Sequence, residues 1–268
     1  MLHALLPFRF VVHTHPSLVN GISCSRNGAE TISKLFKDTA IWVPITNPGY
    51  TLAKVVKEEI ERHMADGNDF PQLIFLQNHG VFVSANSTEE IDHIYNNMFK
   101  LIKSEVLNFP DTLNIPVAEE NVTLAEKAIG AALGEEFPVS AFANKDILTM
   151  SASNEAFAPL ELAMTPDHIV YYGFKPVYAD SLESLENDIS VYIREYEVTP
   201  RLAVVKGIGA FAFDRSLALA ERAKKLFLDD VKVAVYTESF GRFQFMPQDQ
   251  IDFIRNWEVE KYRFSLSK

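Results

Sequence analysis

The chain has 268 residues, 47% of them hydrophobic and 23% charged, and its 36 Asp and Glu against 25 Lys and Arg give a formal net charge of -11. This balance belongs to a globular chain long enough for one large domain or two modest ones, and it argues against disorder. The carboxylate excess and the scatter of basic residues exclude a nucleic-acid surface of the usual basic kind, while one local positive site would suffice for an acidic small molecule.

Cys24 is the single cysteine, which excludes an internal disulfide and points to a reducing, cytoplasmic setting. Its expected place is a small buried position. Met1 to Val12 is apolar but short and holds Arg9, so neither a secretion signal nor a membrane span is expected there.

In chain order, Phe8 to His15 reads as a strand closed by Pro16, and Ala40 to Pro44 as a second strand before the turn signal Asn47-Pro48-Gly49. Leu52, Val55, Val56 and Ile60 then fall at helical spacing, with Gly67 past the helix end. Gln72 to Gln77 suits a buried strand, broken at Asn78-His79-Gly80 and resumed at Val81 to Val83. Ser87 and Glu90 form a capping-box start for a helix with the stripe Ile91, Ile94, Met98 and Ile102.

Between Asn108 and Glu119 the periodicity lapses around Pro110 and Pro116, which divides the chain into domains 1-112 and 113-268. The second is expected to hold helices near Thr123 to Leu133, Leu182 to Tyr196, Ser216 to Val235 and Gln248 to Arg263. Its strands are expected near Phe137 to Phe142 and Leu202 to Val205. Strands and helices mixed in both halves predict an α/β or α+β layered fold.

An offset of 129 lays Leu73 to Leu76 on Leu202 to Val205, Gly80 on Gly209, Phe82 on Phe211 and Ser87 on Ser216. The helix stripe falls on Ala220, Ala223, Phe227 and Val231. The second domain thus reads as a degenerate repeat of the first, and His79 falls on Ile208, which cannot bind a metal.

His13-Thr14-His15 at a strand end presents two imidazoles on one face. Alone this pattern also fits two half-buried histidines. His79, in a loop between apolar strand segments and beside Gly80, is hard to justify as packing and would be the third partner. Gly80 would let the backbone approach a ligand closely or adopt positive φ. Three neutral imidazoles with no fourth protein ligand would leave an open position, as catalytic zinc sites do.

His13-Thr14-His15-Pro16, the stretch Trp42-Val43-Pro44 to Pro48-Gly49, and Gln77-Asn78-His79-Gly80 together resemble the class II aldolase/adducin family. Leu202 to Phe211 and Ile251 to Glu260 further resemble the region after the aldolase domain in bifunctional rhamnulose-phosphate aldolase/alcohol dehydrogenases. The resemblance implies metal ligands His13, His15 and His79, binding Zn2+ or alternatively Mn2+ or Co2+. It implies retro-aldol cleavage of a ketose phosphate or related hydroxy-carbonyl sugar in a homo-oligomer, a tetramer in the family. The family's catalytic glutamate would fall ahead of Met1, and its phosphate-holding loops earlier still. The expectation is therefore either a frame that starts late or a remnant that holds metal without the full reaction, which leaves an adducin-like binding or assembly role as the alternative.

The general acid/base is unassigned. Glu30, Asp38 and Glu119 are carboxylates of the right type, but nothing in their spacing selects one, and solvated surface is the expected place for each. A dinucleotide site at Gly207-Ile208-Gly209 is discounted for lack of a distinctive acidic residue downstream. His168 and Lys175 are expected in ordinary loops, His63 and His93 on helix surfaces, and His3 at most in support of the metal site.

Overall fold

The computed structural model describes residues 2–257 and is mixed α/β, as expected. Its residues group into two compact units. The first runs to Phe109 and takes in Lys232–Phe253, and the second comprises Pro110–Val231 and the segment from Ile254.

In the first unit, β1 (Phe10–Thr14), β2 (Ala40–Val43), β3 (Leu73–Leu76) and β4 (Gly80–Ala85) form one sheet in the order β1-β4-β3-β2. β2 and β3 are parallel, and β4 runs antiparallel to both β1 and β3. The period of two sorts side chains onto two apolar faces. On one face, Ile41, Val43, Ile74, Leu76, Phe82 and Val11 pack with Leu52, Val56 and Ile60 of α3 (Tyr50–Ala65). On the other, Phe10, Val12, Phe75, Val81 and Val83 meet α1 (Ser17–Ser23), α2 (Gly28–Phe36) and α4 (Thr88–Glu105).

Helix α4 starts as its sequence predicts, with the Ser87 side chain accepting from the Glu90 amide. Glu90 reaches back one residue further than a capping box requires: its carboxylate accepts from the Asn86 backbone N–H and from the Gln72 side chain. The helix start is thereby tied to the residue that precedes β3.

The second unit repeats this plan. β5 (Val139–Phe142), β6 (Val177–Ala179), β7 (Leu202–Val205) and β8 (Gly209–Phe213) order as β5-β8-β7-β6, again with one parallel and two antiparallel pairings. Leu73↔Val83 of the first sheet corresponds to Leu202↔Ala212 of the second, and Leu76↔Gly80 to Val205↔Gly209, all at the 129-residue offset. The loops correspond in hydrogen bonding too. His79 N–H donates to Leu76 O and Ile208 N–H to Val205 O, while Gln77 N–H donates to Val43 O and Lys206 N–H to Ala179 O.

Helices of this unit are α5 (Glu119–Leu133), α6 (Lys145–Met150), α7 (Asn154–Phe157), α8 (Pro166–Tyr171), α9 (Leu185–Tyr196) and α10 (Leu217–Thr237). The Val231 end of α10 closes the unit's main segment. Ala220, Ala223, Phe227 and Val231 are buried along α10, as Ile91, Met98 and Ile102 are along α4, where Ile94 is half-buried. Helix α11 covers Gln248–Asn256; the remainder of the helix expected to Arg263 lies outside the described residues.

His168 departs from its expected loop. It is buried on α8, whose start is set by the Thr165 cap and by Pro166 in the first turn, where its missing N–H costs nothing. Gly207-Ile208-Gly209 turns the β7–β8 hairpin instead of opening a helix, so it has none of the helix N-terminus that a dinucleotide pyrophosphate needs. Among the described residues no helix is long and apolar enough to cross a membrane.

Candidate metal centre

His13 is the penultimate residue of β1 and pairs with Phe82, whereas His15 lies one residue beyond the last ladder pair, Thr14↔Val81. His79 ends the three-residue β3–β4 loop, since Leu76 pairs with Gly80. The hairpin therefore lifts His79 beside the end of β1. His13 Nε2 lies 3.0 Å from His15 Nε2 and 3.3 Å from His79 Nε2. One ligand-capable nitrogen from each residue falls within 4.8 Å of the others.

Tetrahedral zinc with nitrogens at about 2.0–2.1 Å would space them about 3.3 Å apart, so the donor set fits a first-row metal ion. The His13 ring supports the fit. Its Nδ1 lies 3.1 Å from the Val81 carbonyl, an acceptor only, so Nδ1 carries the proton and Nε2 keeps its lone pair. The ring also stacks on Phe82 at 4.1 Å. All three histidines are half-buried.

Backbone detail explains the loop. Asn78, not Gly80, takes the positive φ, at 53°, a conformation that asparagine tolerates better than most residues. Asn78 is buried and clamped: its N–H donates to Ser23 O and its side-chain amide to Gln244 O at 2.8 Å. Gln77 Oε1 accepts from the Ile45 N–H. Gly80 instead makes room, because a Cβ there would come within 2.5 Å of His15 Cδ2 and of the Thr14 carbonyl.

On the opposite face of β1 from the His pair, the Thr14 hydroxyl meets Tyr95 Oη of α4 at 2.7 Å. Burial pushes the Tyr95 phenol up, so it stays neutral. The partners of this contact are 81 residues apart, so no local sequence pattern marks it. His3 is exposed and touches the edge of Phe82, one ring away from His13. Cys24 is buried, and Glu30, Asp38 and Glu119 are exposed. Among the described residues, the converging group of metal-capable side chains contains neither a carboxylate nor a thiol.

Among the described residues the second unit has no such centre. By strand register the counterparts of His13, His15 and His79 are Ala141, Ala143 and Ile208. Asn144, next in the chain, caps α6 and donates to the Asp111 carbonyl. Its notable polar cluster is buried elsewhere. His168 lies between Asp229, at 3.1 Å from Nε2, and Asp230, at 3.0 Å from Nδ1, and the Tyr172 hydroxyl donates to Asp230. The Asp230 contact is an ion pair whose angles fall short of a good hydrogen bond. Burial opposes the imidazolium, but the two carboxylates outweigh it and hold His168 up at about 10.

Residues 1–103 match the model of the Class II Aldolase and Adducin N-terminal domain. The whole chain aligns at 23% identity over 309 positions with YuxG of Bacillus subtilis (strain 168), named an uncharacterized oxidoreductase, and it spans 44% of that protein's length. A crystal structure of an aldolase II superfamily protein from Pseudomonas syringae is 14% identical. The match covers 56% of this chain and 64% of that one, with a TM-score of 0.38.

Proposed function

Since the chain carries a class II aldolase and adducin N-terminal domain over residues 1–103, we propose that it is a zinc-dependent aldolase-like lyase acting on a ketose phosphate or related hydroxy-carbonyl sugar. The observation that carries this reading is the convergence of His13, His15 and His79 through their Nε2 and neighbouring ring nitrogens. Imidazole donors suit zinc and other first-row ions, with manganese or cobalt as substitutes.

His13, His15 and His79 would hold the ion. When bound, it supplies Lewis-acid polarisation of a carbonyl oxygen, the electrostatic help that carbon–carbon cleavage next to that carbonyl needs. The chain's own part is to hold the donor set. The Val81 carbonyl fixes the His13 tautomer, Gly80 admits the His15 ring, and the Asn78 clamp presents His79. Half-burial leaves the imidazole cluster reachable for a small substrate.

The same reading places the protein in the cytoplasm as a homo-oligomer, treats the second unit as a degenerate copy, and assigns no nucleic-acid or membrane partner. A second reading, an adducin-like assembly protein that retains the metal, is favoured by the lack of a carboxylate in the converging group among the described residues. Purified protein supplemented with zinc should release an aldehyde from at least one member of a ketose-phosphate panel. Stoichiometric zinc with no cleavage across the panel would transfer the assignment to the assembly role.

A further inference from the structure

The two units supply an internal comparison, in which one fold plan occurs with the histidines and once without them. Loop geometry survives in both copies at the turn: Asn78 at φ 53° corresponds to Gly207 at φ 66°, and a glycine follows two residues on in each, Gly80 and Gly209. The helix cap survives, with Ser87 accepting from Glu90 N–H and Ser216 from Leu219 N–H. These features belong to the fold, since they persist in the unit whose corresponding positions lack the histidines.

The Thr14–Tyr95 hydrogen bond behaves differently. Its counterparts are Phe142, which pairs with Ala210 as Thr14 does with Val81, and Lys224. Phe142 has no hydroxyl, and the Lys224 ammonium lies over its ring at 5.6 Å and donates to Ser140 and Glu221. The bond is present where the histidines are present and gone where they are gone.

Mechanics explain the association. β1 is an edge strand of the described sheet, with β4 its one neighbour, and its ladder ends at Thr14. His15 lies past that end, so its direction depends on how firmly Thr14 is held. Thr14 also joins the two ligands through its backbone. A hydroxyl anchored to α4 from the opposite face fixes the strand end where a second neighbouring strand would otherwise do so. In the second unit β5 ends at the same point of the plan, since Phe142↔Ala210 corresponds to Thr14↔Val81, and the next residue, Ala143, is bridged by Ile115.

We propose that Thr14 and Tyr95 are a positioning pair for the metal centre, holding the end of β1 so that His13 and His15 stay aimed at a common ion. This rests on the metal reading of the three histidines. Supporting partners of this kind change metal affinity about 10–100-fold when removed. Tyr95 acts through a further residue, so Tyr95→Phe is expected at the lower end, about tenfold weaker for zinc.

The experiment is zinc affinity by chelator competition on the full chain, paired with the thermal midpoint of each metal-free protein. Tyr95→Phe and Thr14→Val should each weaken zinc about tenfold, and the double variant should be no weaker than either single one. Thr14→Ser keeps the hydroxyl and should retain wild-type affinity. Tyr178→Phe, which removes a second-unit tyrosine hydroxyl bonded to the Ser151 carbonyl, should leave zinc binding unchanged. Should Tyr95→Phe fail to fold, the Thr14→Val and Thr14→Ser pair decides from the other side. Wild-type zinc affinity in Tyr95→Phe or Thr14→Val, whatever the thermal midpoint, overturns the positioning role while leaving the metal reading intact. A wild-type chain that takes up no zinc overturns both.

Discussion

Gly80 and His15 meet so closely that no side chain fits between them: a Cβ on Gly80 would lie 2.5 Å from His15 Cδ2 and equally near the Thr14 carbonyl. Gly80→Ala must therefore displace the His15 ring or the end of β1. Overpacking of this sort costs about 1–3 kcal/mol. The expected result is a lowered thermal midpoint together with zinc binding weakened at least about tenfold, read by chelator competition. Unaltered affinity would show that His15 is not held where it must be to serve as a ligand.

Asn78 separates two contributions to the His79 loop. Its φ of 53° favours asparagine or glycine over alanine by about 1–2 kcal/mol, and Gly207 fills the same place in the second hairpin. Asn78→Gly should lose the hydrogen bond to Gln244 O, about 1 kcal/mol, whereas Asn78→Ala should lose that and add backbone strain. Denaturant unfolding of the two variants should rank Ala below Gly. The reverse order would mean that the clamp is not limited by backbone conformation.

The His168 cluster predicts an alkaline limit to stability. His168 is held up at about 10 in the fold by Asp229 and Asp230 against the cost of burial, above the ordinary imidazole value of about 6.5. A raised folded value means that the stabilisation is complete below about 6.5 and is lost as pH rises through about 10. Unfolding free energy should therefore decline across that window in the wild type, and His168→Gln should flatten this slope. Equal slopes would remove His168 as its source. His168→Ala leaves Asp230 buried without its cation and should cost about 3–5 kcal/mol, with zinc binding untouched.

What could be read in the sequence follows the range of the interactions. His13 and His15 were legible because strand period fixes their common face, and His79 because a histidine between Leu76 and Val81 has no packing reason to be there. The correspondence at 129 residues was legible through Gly80, Gly209 and the two helix stripes, and the strand registers carry it into backbone hydrogen bonds. His168 was misplaced because the Asp229 and Asp230 that justify its burial lie 61 or more residues away on α10. The Thr14–Tyr95 bond was invisible for the same reason. For Gly80 the sequence offers two reasons, close approach of the backbone to a ligand or a positive φ. The need is for space, which only packing reveals, while Asn78 takes the positive φ. Strand β6 spans Val177–Ala179 and is too short to show periodicity, and α1 is a seven-residue helix behind Pro16 with no side-chain cap.

The most direct measurement is metal content per chain by inductively coupled plasma mass spectrometry, on protein purified without a His-tag or added metal, for the wild type and His79→Ala. Near-stoichiometric zinc in the wild type and its loss in His79→Ala is the predicted result. A well-folded wild type that carries no metal and takes up none from added zinc, or equal metal in both proteins, would contradict the three-histidine centre.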